Sequence, residues 1–282
     1  MTAVRHFLDA IKFEHTVFAL PFAYVAMVLA ADGWPGWPTV LWVTLAMAGA
    51  RTLAMSVNRL VDRFIDAANP RTARRHLPAG LLAPWQVAAA AVVAGALLLL
   101  SAWMLNPLCL ALAPLAVLFL VGYSYTKRFT WLSHWILGFT DGIAAAGGWI
   151  AVRAAFAPPV YVLWFALTVW IAGFDLIYAC QDIDSDRANG VYSLPARFGA
   201  AAALRVSVAT HVVTIGLLVA FGVAAHLGAL WWTGVALTAL ALAYEHAIVS
   251  PTDLSRVNRA FFTVNGWVGV GLFVFAVLDL FA

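Results

Sequence analysis

The sequence predicts an all-α polytopic membrane protein, on the basis of its composition and of apolar stretches that recur along it. Of the 282 residues, 64% are hydrophobic and 10% are charged, whereas soluble domains typically have about 25% charged residues. A transmembrane helix needs about 20 mostly apolar residues, and such stretches follow one another through the chain. This composition excludes a cytosolic globular protein, a disordered chain and a nucleic-acid-binding domain, and it makes the lipid bilayer the expected surroundings.

Nine apolar stretches are predicted to be transmembrane helices. In chain order they are His15–Ala31, Thr39–Val57, Pro84–Leu105, Pro107–Tyr123, His134–Arg153, Val160–Gln181, Ala200–Ala225, Leu230–Val249 and Arg259–Phe281. Arginine and lysine concentrate before the first stretch and after the second, fourth, sixth and eighth. Because cytoplasmic loops carry an excess of these residues, we expect these connections and the N-terminus on the cytoplasmic side of the inner membrane.

Acidic residues are concentrated directly after the second and sixth predicted spans. The two segments read NRLVDRFIDAAN and YACQDIDSDRAN, and a shift of 120 residues superimposes Asp62 on Asp182 and Asp66 on Asp186. Such spacing indicates an internal repeat of four spans. We therefore expect one domain over residues 1–282, built from two pseudo-repeated four-helix units plus a final helix.

Each acidic segment is predicted to point two carboxylates in the same direction, since residues i and i+4 share a helix face. Four converging carboxylates repel one another unless a cation lies between them. Hard oxygen ligands suit Mg²⁺, which commonly bridges to substrate phosphates. The candidate metal ligands are Asp62, Asp66, Asp182 and Asp186. The alternative is a pair of solvated helix ends, which the matching spacing of two pairs in an acid-poor chain disfavours.

Groups suited to phosphate lie beside the acidic segments. The cations of the loop NPRTARRHLPAG are Arg71, Arg74 and Arg75. Guanidinium groups match phosphate oxygens in bidentate fashion, although each arginine is equally well explained as a loop cation on the cytoplasmic side. The loop after the fourth span offers a cap for a phosphate through Tyr123, Ser124 and Lys127.

The two acidic segments, with their surroundings, resemble the paired aspartate-rich motifs of the UbiA superfamily of intramembrane prenyltransferases. The stretches that carry the resemblance are NRLVDRFIDAANPRTARRHLPAG (Asn58–Gly80), YACQDIDSDRANGVYSLPARFG (Tyr178–Gly199), the YSYTKR loop and LGFTDGIAAAGGWIAV (Leu137–Val152). The resemblance implies a Mg²⁺-dependent transferase that moves a polyprenyl chain from polyprenyl diphosphate to an acceptor, usually an aromatic ring.

The resemblance also implies roles for individual residues. The first metal and diphosphate motif would comprise Asn58, Asp62 and Asp66, and the second Asp182 and Asp186. The diphosphate-contacting cap would comprise Tyr123, Ser124 and Lys127. The expected chemistry is electrophilic substitution, in which loss of diphosphate leaves an allylic cation that an electron-rich ring carbon attacks.

The acceptor is expected to be an aromatic hydroxy acid of quinone biosynthesis. Ser193–Leu194–Pro195–Ala196–Arg197 stands where the haem-farnesylating branch has a VPMLP-like run, which argues against haem. The second motif resembles branches of ubiquinone biosynthesis that act on 4-hydroxybenzoate. NPRTARRHLPAG resembles enzymes proposed for the futalosine route to menaquinone, whose acceptor would be 1,4-dihydroxy-6-naphthoate, and Arg59 stands where many members have Asp. Both acceptors remain open.

Three charged side chains, Arg51, Asp141 and Asp175, are expected inside spans, where charge is costly and usually functional. Arg51 precedes Asn58 by seven residues, and Asp175 precedes Asp182 by seven, which places both about 10 Å deeper than the motifs. We expect Arg51 to bind the acceptor carboxylate or to pair with Asp175. Asp141 or Asp175 would take the ring proton or orient the phenol, the alternative for all three being a structural ion-pair network.

A multi-spanning transporter of an anionic or isoprenoid substrate is the alternative to an enzyme. Transporters usually place ionisable binding groups near the bilayer midplane, often on broken helices. The acids of this chain concentrate at predicted helix ends instead, which favours the enzyme.

Overall fold

The protein is described here from a computed structural model that covers Phe7, Asp9, Ala10 and residues 19–282. In this part of the chain the regular secondary structure is entirely helical, without a β-strand. The helices are α1 (Leu20–Ala31), α2 (Trp37–Ala68), α3 (Pro84–Leu105), α4 (Pro107–Thr126), α5 (Ser133–Arg153), α6 (Pro158–Ala179), α7 (Ile183–Ala188), α8 (Leu194–Phe198), α9 (Ala200–Ala224), α10 (Ala229–Ala247) and α11 (Asn265–Leu280). A 3₁₀ turn, Cys180–Asp182, joins α6 to α7, and a π-helical turn, Arg259–Val264, leads into α11.

Seven helical segments in the described chain are long and apolar enough to cross a membrane. The prediction of an all-α, multi-spanning protein is confirmed at this level. Helix α1 is apolar but has only 12 described residues, and the predicted start of the first span at His15 lies outside the described residues. Helix α10 ends in the polar residues Glu245 and His246 and is not one of the seven. The count of nine spans and the repeat of four-helix units stay predictions.

The largest difference between predicted and observed helix ends is in α2. The apolar stretch ends at Val57, but the helix continues to Ala68. Hydropathy marks only the part of a helix that is apolar, so the helical extension that carries Asn58, Asp62 and Asp66 was not included in the predicted span. These three side chains therefore project from one continuous helix.

Close helix approach depends on small residues, as is usual between membrane helices. A Cβ atom on Gly148 of α5 would overlap the carbonyl oxygen of Ala23 in α1. A Cβ atom on Gly138, in the same helix, would overlap the carbonyl oxygen of Thr168 in α6. Helix α5 is thus held directly against both α1 and α6, and this contact fixes one wall of the cavity described below.

Polar contacts differ between the two ends of the helix bundle. At one end, Arg153, the last residue of α5, pairs with Asp32, which follows α1, at 2.7 Å. At the other, the C-terminal ends of α2, α4 and α6 meet the start of α5, as cross-links such as Lys127 to Asp62 and Arg71 to Asp182 show. Most of the charged side chains singled out in the sequence lie at this second end.

Candidate active site

A cavity of about 530 Å³ lies among α2, α4, α5 and α6 and contains nearly all of the candidate residues. Its lining includes Arg51, Asn58, Asp62, Asp66, Arg71, Tyr123, Ser124, Lys127, Asp141, Asp175, Asp182 and Asp186. Of the candidates, Arg74 is the exception: it is exposed and does not belong to the lining, whereas Arg75 does. The part of the cavity bordered by the two acidic segments is called the polar end below.

The first acidic pair is buried in the wall of the polar end. Asp62 is 1% exposed and accepts hydrogen bonds from Asn58 Nδ2 at 2.8 Å and from Lys127 Nζ at 2.5 Å. Asp66, one helical turn further on, is 6% exposed and pairs with Arg75 at 2.7 Å. Its second oxygen, Oδ2, is buried and accepts no hydrogen bond from the described residues, although Arg59 Nη1 lies 4.0 Å from it. A buried carboxylate oxygen without a hydrogen bond is costly, so a closer cation or donor would stabilise it.

The second acidic pair is held by a different set of side chains. Both Asp182 oxygens accept hydrogen bonds from Arg71, and Asn69 Nδ2 donates to Oδ1 at 2.7 Å. Arg71 also donates to the Tyr178 hydroxyl at 2.9 Å. Burial alone would lower the pKa of Arg71, but the hydrogen bond to Asp182 helps to outweigh it, and the pKa is raised above its usual value. The guanidinium is therefore charged at any physiological pH.

The two acidic segments, although equally spaced in sequence, differ in local geometry. Asp62 and Asp66 lie on the continuous helix α2. Asp182 ends the 3₁₀ turn after α6, and Asp186 lies in the short helix α7, where it accepts a hydrogen bond from Ser193 at 2.7 Å. We expected the two aspartates of each pair to lie on one face of a single helix. This was wrong for the second pair, because α6 ends at Ala179 and Asp182 lies in the 3₁₀ turn that follows.

Three of the four acidic residues are paired with cations, and the four do not converge on one point. Among the described residues, no group of three or more histidine, cysteine or acidic side chains is placed to hold a metal ion. Lys127 binds Asp62, Arg75 binds Asp66 and Arg71 binds Asp182. The predicted convergence of four carboxylates is therefore corrected: neighbouring cations relieve the repulsion in this arrangement. The donor set nevertheless fits Mg²⁺, since it consists of carboxylates and includes the buried Oδ2 of Asp66, which accepts no hydrogen bond from the described residues.

The predicted phosphate cap is partly free to bind. Lys127 follows the last turn of α4 and faces the cavity while bound to Asp62. The Ser124 hydroxyl is buried and has no hydrogen-bond partner in the part of the chain that the structure describes. Tyr123 donates to the Ala54 carbonyl oxygen at a long 3.4 Å. Among the described residues, the hydroxyl groups of Ser124 and Tyr123 thus make no hydrogen bond and one long hydrogen bond, respectively.

Deeper in the cavity, Arg51 and Asp175 do not form the ion pair that was one of the two expectations. Asp175 is paired with His134, whose Nδ1 lies 2.7 Å from Asp175 Oδ2. Arg51 and Asp175 are not an ion pair in the described structure, so that alternative was wrong. The Nε of Arg51 is buried, and no described residue accepts a hydrogen bond from it. A buried donor without an acceptor costs free energy, so an acceptor atom of a ligand in the cavity would stabilise it.

Several polar residues of the site were not identified from the sequence. They are Asn69, His134, Tyr178 and Ser193. Asn69 and Tyr178 lie within the two quoted motifs, so proximity to the acids could have identified them. His134 precedes Asp141 by seven residues in the same helix, which places both on one face and was the signal available for it.

Comparison with known proteins identifies the family. The UbiA prenyltransferase family profile matches residues 19–267. The chain belongs to the UbiA prenyltransferase family. A UbiA homologue from Aeropyrum pernix, solved in its apo state, has the same fold with a TM-score of 0.86 and 34% identity, covering 94% of this chain and 98% of that one. The resemblance inferred from the two motifs is confirmed.

Two further proteins are similar to this chain, one by sequence and one by fold. The 4-hydroxybenzoate octaprenyltransferase of Xanthomonas euvesicatoria is 32% identical, over 88% of this chain and 82% of that protein. A UbiA homologue from Archaeoglobus fulgidus, solved with GPP and Mg²⁺, is only 16% identical but shares the fold with a TM-score of 0.78, covering 98% of this chain and 100% of that one. Membership makes this protein a membrane prenyltransferase, and the transporter alternative is not supported.

Proposed function

We propose that this UbiA-family enzyme transfers a polyprenyl chain from polyprenyl diphosphate to the ring of 4-hydroxybenzoate, as a step of quinone biosynthesis. One observation carries the proposal: a single cavity has both acidic segments at its polar end and, deeper inside, the Nε donor of Arg51, which no described residue accepts. The names of relatives such as the Xanthomonas enzyme support this acceptor. The NPRTARRHLPAG loop supports 1,4-dihydroxy-6-naphthoate as the second candidate.

The polar end would bind the diphosphate of the donor. Asp62, Asp66, Asp182 and Asp186 would hold Mg²⁺, which when bound neutralises charge on the leaving diphosphate. Asn58 orients Asp62 through its amide. The cationic groups of Lys127 and Arg71 would leave their carboxylate partners and bind the diphosphate oxygens, with Ser124 and Tyr123 contributing hydroxyl donors. Of the neighbouring arginines Arg74 and Arg75, Arg75 is the better candidate for binding the diphosphate, because it lines the cavity.

The deeper part of the cavity would bind the acceptor and the prenyl chain. Arg51 would bind the carboxylate of the acceptor through its free Nε. The cavity lining includes the aromatic side chains Phe119, Trp164, Phe174, Phe261 and Phe262. Rings of this kind stabilise a cation placed over their faces. They would shield the allylic cation from water until the ring carbon attacks, after which Asp141 or Asp175 takes the ring proton.

The polar end is proposed to open to the cytoplasm, with the N-terminus on the same side and nine spans in one domain. The loops that contribute Arg71, Lys127 and Arg187 meet at this end, whereas Arg153 lies at the opposite end beside Asp32. This distribution follows the positive-inside rule. Water-soluble acceptors would then enter from the cytoplasm while the prenyl chain stays in the bilayer.

The experiment that tests the function is a product assay with two acceptors. Detergent-purified enzyme is incubated with geranyl diphosphate and Mg²⁺, and with either 4-hydroxybenzoate or 1,4-dihydroxy-6-naphthoate. Mass spectrometry is expected to detect geranylated 4-hydroxybenzoate. Product from the naphthoate alone would reassign the acceptor, and absence of product with both, in folded protein, would reject the proposal.

An Arg51→Met variant is expected to raise the KM for 4-hydroxybenzoate by about tenfold to a hundredfold, because hydrogen bonds to charged groups contribute about 1.5–3 kcal/mol. The KM for geranyl diphosphate should not change. 4-Hydroxybenzamide, which lacks the carboxylate, is the matched control acceptor: the variant should use it about as well as the wild type does. An unchanged KM for 4-hydroxybenzoate would exclude Arg51 from acceptor binding.

A further inference from the structure

His134 is a buried histidine that the proposed chemistry has not used. It lies in the first turn of α5, is 4% exposed and contributes to the cavity lining. Its two ring nitrogens face different partners. Nδ1 lies 2.7 Å from Asp175 Oδ2, and Nε2 lies 3.4 Å from the backbone nitrogen of Leu194.

These two contacts determine which ring nitrogen carries the proton. A backbone N–H can only donate, so Nε2 must accept from Leu194 and keep its lone pair. The proton of the neutral ring is then on Nδ1, where it donates to Asp175. Asp175 therefore has one oxygen held by a directed hydrogen bond, and its carboxylate borders the cavity.

Close packing of α5 against α6 makes this contact possible. Gly138 lies one turn after His134, and a Cβ atom there would overlap the Thr168 carbonyl oxygen of α6. The absence of a side chain brings the two helices together, so that His134 of α5 reaches Asp175 of α6.

The imidazole also connects Asp175 to the second acidic segment. Leu194, which donates to Nε2, follows Ser193, and Ser193 donates to Asp186 at 2.7 Å. The His134 ring thus connects Asp175 to the loop that contains Leu194 and Ser193, and Ser193 orients the proposed metal ligand Asp186.

Asp141 is the other carboxylate available as a base in the cavity. It lines the cavity, but no hydrogen-bond donor within the described residues fixes its orientation. A base acts efficiently only when it is positioned toward the proton it removes. The fixed carboxylate of Asp175 is better suited to this task.

We infer that His134 is a positioning residue that holds Asp175 as the base for the ring proton, an inference that rests on the proposed function. In that step the donor C–O bond breaks and its electron pair leaves with the diphosphate. A ring carbon forms the new C–C bond, and its proton passes to the free Asp175 oxygen as the ring regains aromaticity. The Nδ1–H of His134 keeps that free oxygen directed into the cavity.

Two substitutions separate the two contacts of the ring. In His134→Asn the amide nitrogen takes the place of Nδ1 and still donates to Asp175, but the contact with Leu194 is lost. In His134→Gln the longer amide reaches the Nε2 position and accepts from Leu194, but the donor to Asp175 is lost. Each variant is assayed with 4-hydroxybenzoate and with the same acid deuterated at the ring positions beside the hydroxyl.

The inference predicts that His134→Gln lowers kcat by at least about tenfold, since a general base contributes about 10²–10⁴-fold. It also predicts a primary isotope effect in this variant, because proton loss becomes rate-limiting. His134→Asn should stay within about threefold of the wild-type kcat without an isotope effect. The KM for geranyl diphosphate should be unchanged in both.

Other outcomes would overturn the inference. Loss of activity in His134→Asn with retention in His134→Gln would mean that the ring only holds the Leu194 loop. Wild-type kcat in both variants, or loss of activity in both without an isotope effect, would exclude a role through Asp175. A wild-type enzyme that prenylates neither acceptor would instead overturn the proposed function, and this inference with it.

Discussion

An Asp62→Asn enzyme is expected to transfer prenyl groups at least about a hundredfold more slowly than the wild type. Removal of one group that stabilises charge in the transition state typically costs about 10²–10³ in kcat. Asp62 is 1% exposed and accepts hydrogen bonds from both Asn58 and Lys127. The substitution keeps the shape of the side chain but removes the charge that would hold Mg²⁺ and that keeps Lys127 at the polar end. The loss is measured from product formation at saturating substrates.

Asp184→Asn is the matched control for this prediction. Asp184 lies between Asp182 and Asp186 in sequence, but it is exposed and outside the cavity lining. Its replacement makes the same change of charge in the same segment, and activity should not change. Equal activity of Asp62→Asn and the wild type would contradict the site as proposed. Equal losses in both variants would show a general effect of surface charge.

Gly148→Ala is expected to have the largest effect on stability. The added Cβ would overlap the Ala23 carbonyl oxygen, and backbone atoms cannot move aside as a flexible side chain can. Helices α1 and α5 must separate, and overpacking of this kind costs about 1–3 kcal/mol or more. The unfolding temperature in detergent should fall by about 2–12 °C.

Gly147→Ala serves as the control because a Cβ atom at this preceding position has no neighbouring atom of the described residues within 4 Å. The two variants have the same composition and replace adjacent glycines of α5. The Gly147→Ala protein should unfold at the wild-type temperature or slightly above it, since alanine favours a helix over glycine. Equal unfolding temperatures for both variants would contradict the close packing of α1 against α5.

The sequence was sufficient to predict the helical class, the two acidic segments and most of the cavity lining. Hydropathy indicates which stretches avoid water, and the spacing of Asp62 with Asp66 and of Asp182 with Asp186 is a local property. Helix ends were harder to predict. α2 continues past its apolar part, and the chain leaves the α6 helix before Asp182.

Long-range partners were not predictable from a single sequence. Lys127 reaches Asp62 across 65 positions and Arg71 reaches Asp182 across 111, so their pairing depends on how the helices pack. The same holds for His134, which was taken only as the start of a span. Its contact with Asp175 depends on the approach that Gly138 allows between α5 and α6.

Binding of the donor at the polar end together with a divalent metal ion can be measured directly. Geranyl S-thiolodiphosphate, a donor analogue that resists ionisation, is titrated calorimetrically into detergent-purified enzyme with Mg²⁺ or with EDTA. We expect strong binding with Mg²⁺, much weaker binding with EDTA, and weak binding in Asp62→Asn but not in Asp184→Asn. Binding that is equally strong with EDTA and in Asp62→Asn would contradict a metal-dependent diphosphate site at the two acidic segments.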